Sequence, residues 1–409
     1  MKAIQYVKSI PKYFAVKLLS STWPPIATSP LGCVRPADVA EPPLPGPRWT
    51  RVQPILAGIC GSDLATVFAK GSPYFSPFTS TPFVLGHETV GRVIEVGSQV
   101  RRVREGDRVV LEPALGCEVR GIDPPCKMCA QGTYACCENV TKGDISAGIQ
   151  TGYCRDTGGA WSEQFVAHES QLYPVPDEVS DEAAVLTEPL SCAMHAALRV
   201  HPKPDDRIFL IGAGTMGLLT LAALRYLGVE NSIVVSAWLP QQRERAVALG
   251  ASEVIMDRGK ALYSSVAERF RAGEYKPEVG KPILLAGPEI TIDCVGSGMS
   301  VHDALRMTRA GGTVLLAGMP GIPWGIDWTT IWHKELDVRG SYAYGIESWN
   351  GERIPTFELA SRFLQRKASD FAPLVGGKFP LEGLGEAMAC ALGTRETDYI
   401  KTVFAIEKE

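Results

Sequence analysis

Three short stretches hold residues able to do metal chemistry, and they lie far apart in the chain. "AGICGSDL" puts Cys60 in a glycine-flanked turn with Ser62 and Asp63 just behind it. "GHETVGRV" puts His87, one of six histidines, directly before Glu88. "LTEPLSCAMHA" puts Glu188 ahead of a proline that can open a helix. A thiolate, an imidazole and a carboxylate are what a catalytic zinc takes as three protein ligands, leaving one position open for chemistry. Each residue alone also has an ordinary use: Cys60 as a small buried side chain, His87 as a satisfied core histidine, Glu188 as a charge at a helix N-terminus.

A second metal signal is denser. Five of the eleven cysteines fall between residues 117 and 137, in "GCEVRGIDPPCKMCAQGTYACCEN". Such clustering in a cytosolic chain points to metal rather than disulfides. The Cys126-x2-Cys129 pair has the spacing that brings two thiolates to one tetrahedral zinc, and a further pair can close the site. A closed four-thiolate site stabilises rather than catalyses.

A third motif points to a nucleotide. "RIFLIGAGTMGLL" ends an apolar strand and opens a helix with Gly212, Gly214 and Gly217 in GxGxxG spacing, Thr215 and Met216 between them. The first glycine permits the tight turn, the second lets a pyrophosphate reach the backbone, and the third lets helix and strand pack closely. At the end of the next strand, where an acid would take the ribose of NAD, "NSIVVSAW" offers Ser236. That hydroxyl, with Arg243 or Arg245 following, favours NADP over NAD; the alternative for the two arginines is a solvated helix face.

The elements that must position these residues fall into three spans. Residues 1–195 alternate short Val/Ile-rich runs with Pro/Gly turns and read as β-rich. Within them the segment from Pro11 to Pro54 is so proline-rich that an irregular, ordered insertion is expected. Residues 196–345 alternate strand-like runs such as "NSIVVSA", "EITIDCVG" and "GGTVLLAGMP" with helix-length stretches, which implies a doubly wound parallel sheet. Residues 346–409 are expected to return to the first domain, with a helix in "IPTFELASRFLQRKA" that buries Phe357, Leu359, Phe363 and Leu364.

Composition narrows the function classes. A chain of 409 residues exceeds one hydrophobic core, and 45% hydrophobic with 21% charged residues is a globular composition. The net charge of −4 and the lack of a basic stripe along the chain argue against a nucleic-acid partner. The N-terminus does not resemble a secretory signal, and the most apolar stretch, Ile208 to Leu224, falls short of a membrane span and is interrupted by the three glycines. A cytoplasmic protein with no membrane partner is expected.

The order "GICGSD", "GHETVGRV", cysteine-rich loop, "EPLSCAMHA" and "IGAGTMG", over about residues 50 to 345, resembles the zinc-dependent medium-chain alcohol and polyol dehydrogenases, especially their sorbitol, threonine and glucose dehydrogenase branch. The resemblance implies an α/β chain: a GroES-like, barrel-like catalytic domain, then a Rossmann dinucleotide-binding domain, with the active site in the cleft between them. It implies that Cys60 and His87 ligate a catalytic zinc, that Glu88 and Glu188 ligate it or hold its water, that Ser62 shuttles the substrate proton, and that Asp63 orients the histidine. Backbone near Val295, Ala317 and Met319 would hold the nicotinamide carboxamide. Cys117, Cys126, Cys129 and Cys137 would hold a structural zinc, with Asp123 the alternative to Cys117. Two departures stand out: the next relay histidine is replaced by Ala65, and a "VRGID" insertion separates Cys117 from Cys126. The implied activity is reversible oxidation of an alcohol or polyol with NAD or NADP, in a homodimer or homotetramer. The rival readings are an NADPH-dependent reductase of a conjugated or imine substrate and a non-catalytic NADPH-binding structural protein.

Overall fold

The computed structural model describes residues 1–393 and 397–406. The chain forms two compact units, Met1–Glu188 joined by Tyr344–Glu409, and Pro189–Ala343. The division falls in the first turn of the helix Thr187–Leu198, so a boundary drawn at 195 cuts through that helix.

In the first unit the long strand Trp49–Gly58 is the axis of a seven-stranded sheet. It pairs antiparallel with Thr89–Val96, with Phe165–His168, and with Lys401–Ala405 from the far end of the chain. Pro54 cannot donate to the ladder, and the register with Thr89–Val96 shifts between Pro54 and Leu56, a bulge that absorbs the missing bond. The sheet encloses a core that includes Val52, Val93, Phe165, Trp161 and Phe404.

The unit is not all β. Helices occupy Ile10–Leu19, Gly61–Val67, Lys127–Gln131 and Thr356–Phe371. The proline-rich N-terminal segment, expected to be irregular, contains one of these helices and the strand Val34–Asp38. Pro11 sits in the first helical turn, where an amide donor would be unused anyway, and Pro36 lies on an edge strand that pairs on one side only. The helix Thr356–Phe371 buries Phe357, Leu359, Phe363 and Leu364, as their spacing predicts, each worth roughly 1.5–3 kcal/mol.

The second unit holds six parallel strands in the spatial order Glu253–Ile255, Ile233–Ser236, Ile208–Ile211, Ile290–Asp293, Thr313–Leu316, Asp337–Gly340. The first strand in sequence lies in the middle and the chain winds outward on both sides, the doubly wound pattern whose switch point lies at the carboxyl ends of the central strands. The apolar stretch from Ile208 is a strand, the glycine turn and the helix Thr215–Tyr226. Among the described residues no helix is long and apolar enough to cross a membrane.

Candidate active site and metal centres

Cys60 caps the helix Gly61–Val67 directly after the axial strand. Its backbone N–H donates to Asp63 Oδ2 at 2.9 Å, while Asp63 Oδ1 lies 3.4 Å from His87 Nδ1. Asp63 is fully buried. One carboxylate thus fixes the turn that presents the thiol and faces the ring opposite it, although neither Asp63 Oδ1 nor His87 Nδ1 completes a hydrogen bond at that separation. With Nδ1 turned to Asp63, His87 directs Nε2 the other way, where Ser62 Oγ lies 3.5 Å off. Burial alone would push His87 toward neutrality, but Asp63 and Cys60 outweigh it and raise its pKa well above the ordinary histidine value.

Glu88 follows His87, immediately before the strand Thr89–Val96. Its side chain pairs with Lys401, which also donates to Ile59 O at 2.9 Å. Burial favours a neutral Lys401, yet Glu88, Cys60 and Glu188 together hold its pKa up. Gly58 gives the carboxylate room: a Cβ there would stand 2.2 Å from Glu88 Oε2. Gly86, at φ +94°, lets the chain pass under Trp161 just before His87.

One ligand atom each from Cys60, His87 and Glu88 falls within a group spanning no more than 4.8 Å. Sulfur, imidazole nitrogen and carboxylate oxygen, largely buried around one point, are a zinc donor set. Asp63 stands behind the histidine, the place that an outer carboxylate takes in such sites. Glu188 lies outside this group, buried in the first helical turn nearby. Two residues at the site were not legible in the sequence. One is Lys401; a lone lysine in the apolar run "YIKTVFA" is the signal that could have found it. The other is Tyr153, whose hydroxyl bonds Thr66 Oγ1 at 2.9 Å and Ser62 O at 3.2 Å, and nothing in its sequence context marks it.

The cysteine loop gathers Cys117, Cys126, Cys129 and Cys137. Cys117 Sγ is 3.6 Å from Cys137 Sγ, and Cys126 Sγ is 3.9 Å from Cys137 Sγ. These are close to the edge of a tetrahedron with metal–sulfur bonds of about 2.3 Å. Backbone N–H groups of Cys117, Cys126, Cys129, Glu138 and Asn139 all point at these sulfurs. Asp123 is exposed and outside the cluster, as is Cys136. The loop is held from behind by Arg120, fully buried, whose guanidinium donates to the carbonyls of Leu115, Lys142, Ile145, Ser146 and Gly148.

In the second unit the glycine turn has three distinct environments. Gly212 takes φ +93°, and a Cβ there would meet Val295 at 2.4 Å. A Cβ at Gly217 would stand 1.8 Å from Gly212 O, whereas one at Gly214 would meet nothing within 4 Å. The first and third glycines are therefore required by packing, and the second faces open space at the N-terminus of a twelve-residue helix, the cradle a pyrophosphate needs. Thr215 and Met216 are half-buried in that helix's first turn. Ser236 is buried, and its Oγ accepts from Gly212 N at 3.2 Å. Arg243 is exposed on the helix Pro240–Ala248. Buried Asp293 accepts from the amides of Val295 and Gly296. Gly296 and Gly318 touch backbone to backbone, which brings Val295 beside Ala317 and Met319.

Comparison with known proteins places this geometry. Residues 46–177 match the family described as "Alcohol dehydrogenase GroES-like domain", and residues 215–358 match "Zinc-binding dehydrogenase". The chain is 28% identical over 363 residues to L-idonate 5-dehydrogenase of Vitis vinifera, covering 88% of each chain. It is 33% identical over 288 residues to the protein named "Probable D-xylulose reductase A" of Arthroderma otae, covering 70% of this chain and 73% of that one. Galactitol-1-phosphate dehydrogenase from Escherichia coli superposes with a TM-score of 0.70 at 22% identity, over 99% of this chain and 100% of that one, a likeness of fold alone. The chain belongs to the zinc-dependent medium-chain alcohol and polyol dehydrogenase family.

Proposed function

We propose that the protein is a zinc-dependent, NAD(P)-linked dehydrogenase that reversibly oxidises a secondary alcohol of a polyol to the ketone. The observation that carries this reading is the convergence of Cys60, His87 and Glu88 beside the hydroxyl of Ser62. The relatives named for idonate and sorbitol favour a polyol over the conjugated or imine substrate of a reductase.

Cys60, His87 and Glu88 would hold the metal, with Glu188 near enough to order a water, and Cys117, Cys126, Cys129 and Cys137 would hold a second, structural zinc. Zinc at the first site supplies Lewis acidity that makes a bound alcohol easier to deprotonate. Ser62 takes the substrate proton through its hydroxyl. Ala65 offers no onward relay, so the proton leaves through water or the cofactor ribose. Asp63, 3.4 Å from His87 Nδ1, would hold that nitrogen so that Nε2 stays aimed at the site. In the second unit, the amides at Gly214, Thr215 and Met216 receive the pyrophosphate, and backbone near Val295, Ala317 and Met319 orients the carboxamide. The bound nicotinamide supplies the hydride acceptor.

The strand ending at Ser236 continues into Ala237 and Trp238 without a carboxylate, which supports NADP over NAD, with Arg243 as a partner for the 2'-phosphate. The eleven cysteines are unbridged, which supports a reducing, cytoplasmic setting, and the family resemblance supports a homodimer or homotetramer. The test is the initial rate with sorbitol, xylitol, idonate, threonine and simple alcohols, each with NAD and NADP. Turnover of a polyol sustains the reading; silence of zinc-replete protein toward every alcohol, with NADPH oxidation on an enone or imine, replaces it with the reductase.

A further inference from the structure

The helix Ile10–Leu19 carries apolar side chains on two faces: Tyr13 and Val16 pack on the core, and a second stripe is left outside. Ile10, Phe14 and Leu18 recur at four-residue spacing and so lie on one face. They are 65%, 54% and 73% exposed, while the helix's one fully buried side chain is Val16. Trp23 and Leu31, in the turns that follow, are exposed as well. The platform beneath them is fixed: Val16 belongs to the same core as Val67 and Phe68, and Ser20 Oγ donates to Phe68 O at 3.5 Å. This segment precedes residues 46–177, the part matched by the GroES-like family description.

Charge on the same segment is one-sided. Residues 1–37 hold Lys2, Lys8, Lys12, Lys17 and Arg35 and no aspartate or glutamate, in a chain of net charge −4. Among the described residues only Lys2 has a carboxylate partner, Glu382; Lys12 and Lys17 donate to the carbonyls of Pro30 and Ala69, which leaves their charge uncompensated. Exposed Ile, Phe, Leu and Trp interleaved with lysine is the composition of helices that lie in the plane of a membrane surface.

We propose that this N-terminal platform docks flat on a bilayer that contains anionic lipid, with Ile10, Phe14 and Leu18 entering the headgroup boundary and the lysines meeting lipid phosphates. A second copy of the chain is the poorer occupant, because a twofold contact through this face would set an all-basic segment against itself. The lack of a spanning helix does not bear on it, since such helices lie on the membrane rather than across it. The proposal is independent of the substrate and of both metal sites.

The test is flotation of the full-length protein with phosphatidylcholine vesicles made with or without phosphatidylglycerol. Recovery is expected with the anionic vesicles, about tenfold less with the neutral ones, and a decline as salt shortens the Debye length. The double variant Phe14→Glu, Leu18→Glu should lose at least about tenfold in recovery without a change in melting temperature, since both side chains are already exposed. Absence of recovery with either vesicle overturns the proposal, as does equal recovery of the double variant. Concentration-dependent dimerisation in sedimentation velocity that the same double variant abolishes also overturns it, in favour of a contact between copies.

Discussion

Lys401 and Glu88 form an ion pair whose side chains are 4% and 1% exposed. The lysine comes from the strand that closes the first unit's sheet, 342 residues beyond the Ile59 carbonyl it also holds. Removing one partner of a buried pair leaves the other charged without compensation, which costs about 3–5 kcal/mol. In the zinc-free protein, where no metal offsets Glu88, Lys401→Met should lower the unfolding free energy by that amount in a denaturant titration, and Lys401→Arg should recover part of it. A loss below about 1 kcal/mol would mean that Glu88 is compensated from elsewhere.

Asp63 touches neither proposed substrate nor metal, yet it holds the Cys60 amide and faces His87 Nδ1. Asp63→Asn keeps the shape and removes the charge that fixes the imidazole. Outer-shell changes of this kind lower metal affinity about 10- to 100-fold. Competition with a chelator should show faster loss of one zinc per chain, with the cysteine-loop zinc retained. Equal retention of both by the variant would remove Asp63 from the site.

The Lys401 contact marks the limit of what the sequence could say, whereas Asp63 beside the histidine was already implied by the family resemblance. Cys60, His87 and Glu88 were legible because each sits in a short motif, and the glycine turn because its spacing is local. Lys401 was not, because its partners are set by which strand lies next to Trp49–Gly58, and strand order is not written in any local pattern. The proline-rich N-terminus misled for a related reason: prolines at a first helical turn, on an edge strand and at a bulge are compatible with regular structure, and only the register reveals which positions they hold.

Glu112 gives a pH signature from a carboxyl that is not itself a metal ligand. It is buried, accepts from the Tyr173 hydroxyl at 2.8 Å, and burial pushes its pKa from 4.5 up to about 7. The folded state therefore holds the proton more tightly than the unfolded chain. Its contribution is fully present below pH 4.5 and is lost as pH rises through about 7. The span is worth on the order of 3 kcal/mol. Glu112→Gln should flatten that part of the stability profile, so the difference from wild type should change across this window; a constant offset would assign the pH dependence to other groups.

The cysteine loop should behave as a stabilising zinc site. Cys126→Ser with Cys129→Ser removes two of the four gathered thiols, and a structural zinc contributes directly to folding. The expected result is loss of one zinc per chain and a clearly lower melting temperature, with wild type falling to the same value after stringent chelation. An unchanged melting temperature in the metal-free double variant would show that Arg120 and the backbone hold the loop without metal.

Gly214 and Gly217 separate binding from packing within one motif. A Cβ at Gly217 would overlap Gly212 O, so Gly217→Ala must move helix against strand, and such overpacking costs about 1–3 kcal/mol. A Cβ at Gly214 meets no atom of the protein, so Gly214→Ala should leave the melting temperature of the cofactor-free protein unchanged. It would, however, place a methyl group where a pyrophosphate must approach the backbone. Calorimetric titration with NADP and NAD should then show at least about tenfold weaker binding for Gly214→Ala. If Gly214→Ala bound either dinucleotide as tightly as wild type, the open space above that glycine would not be the pyrophosphate cradle, and the cofactor assignment would have to rest on other residues.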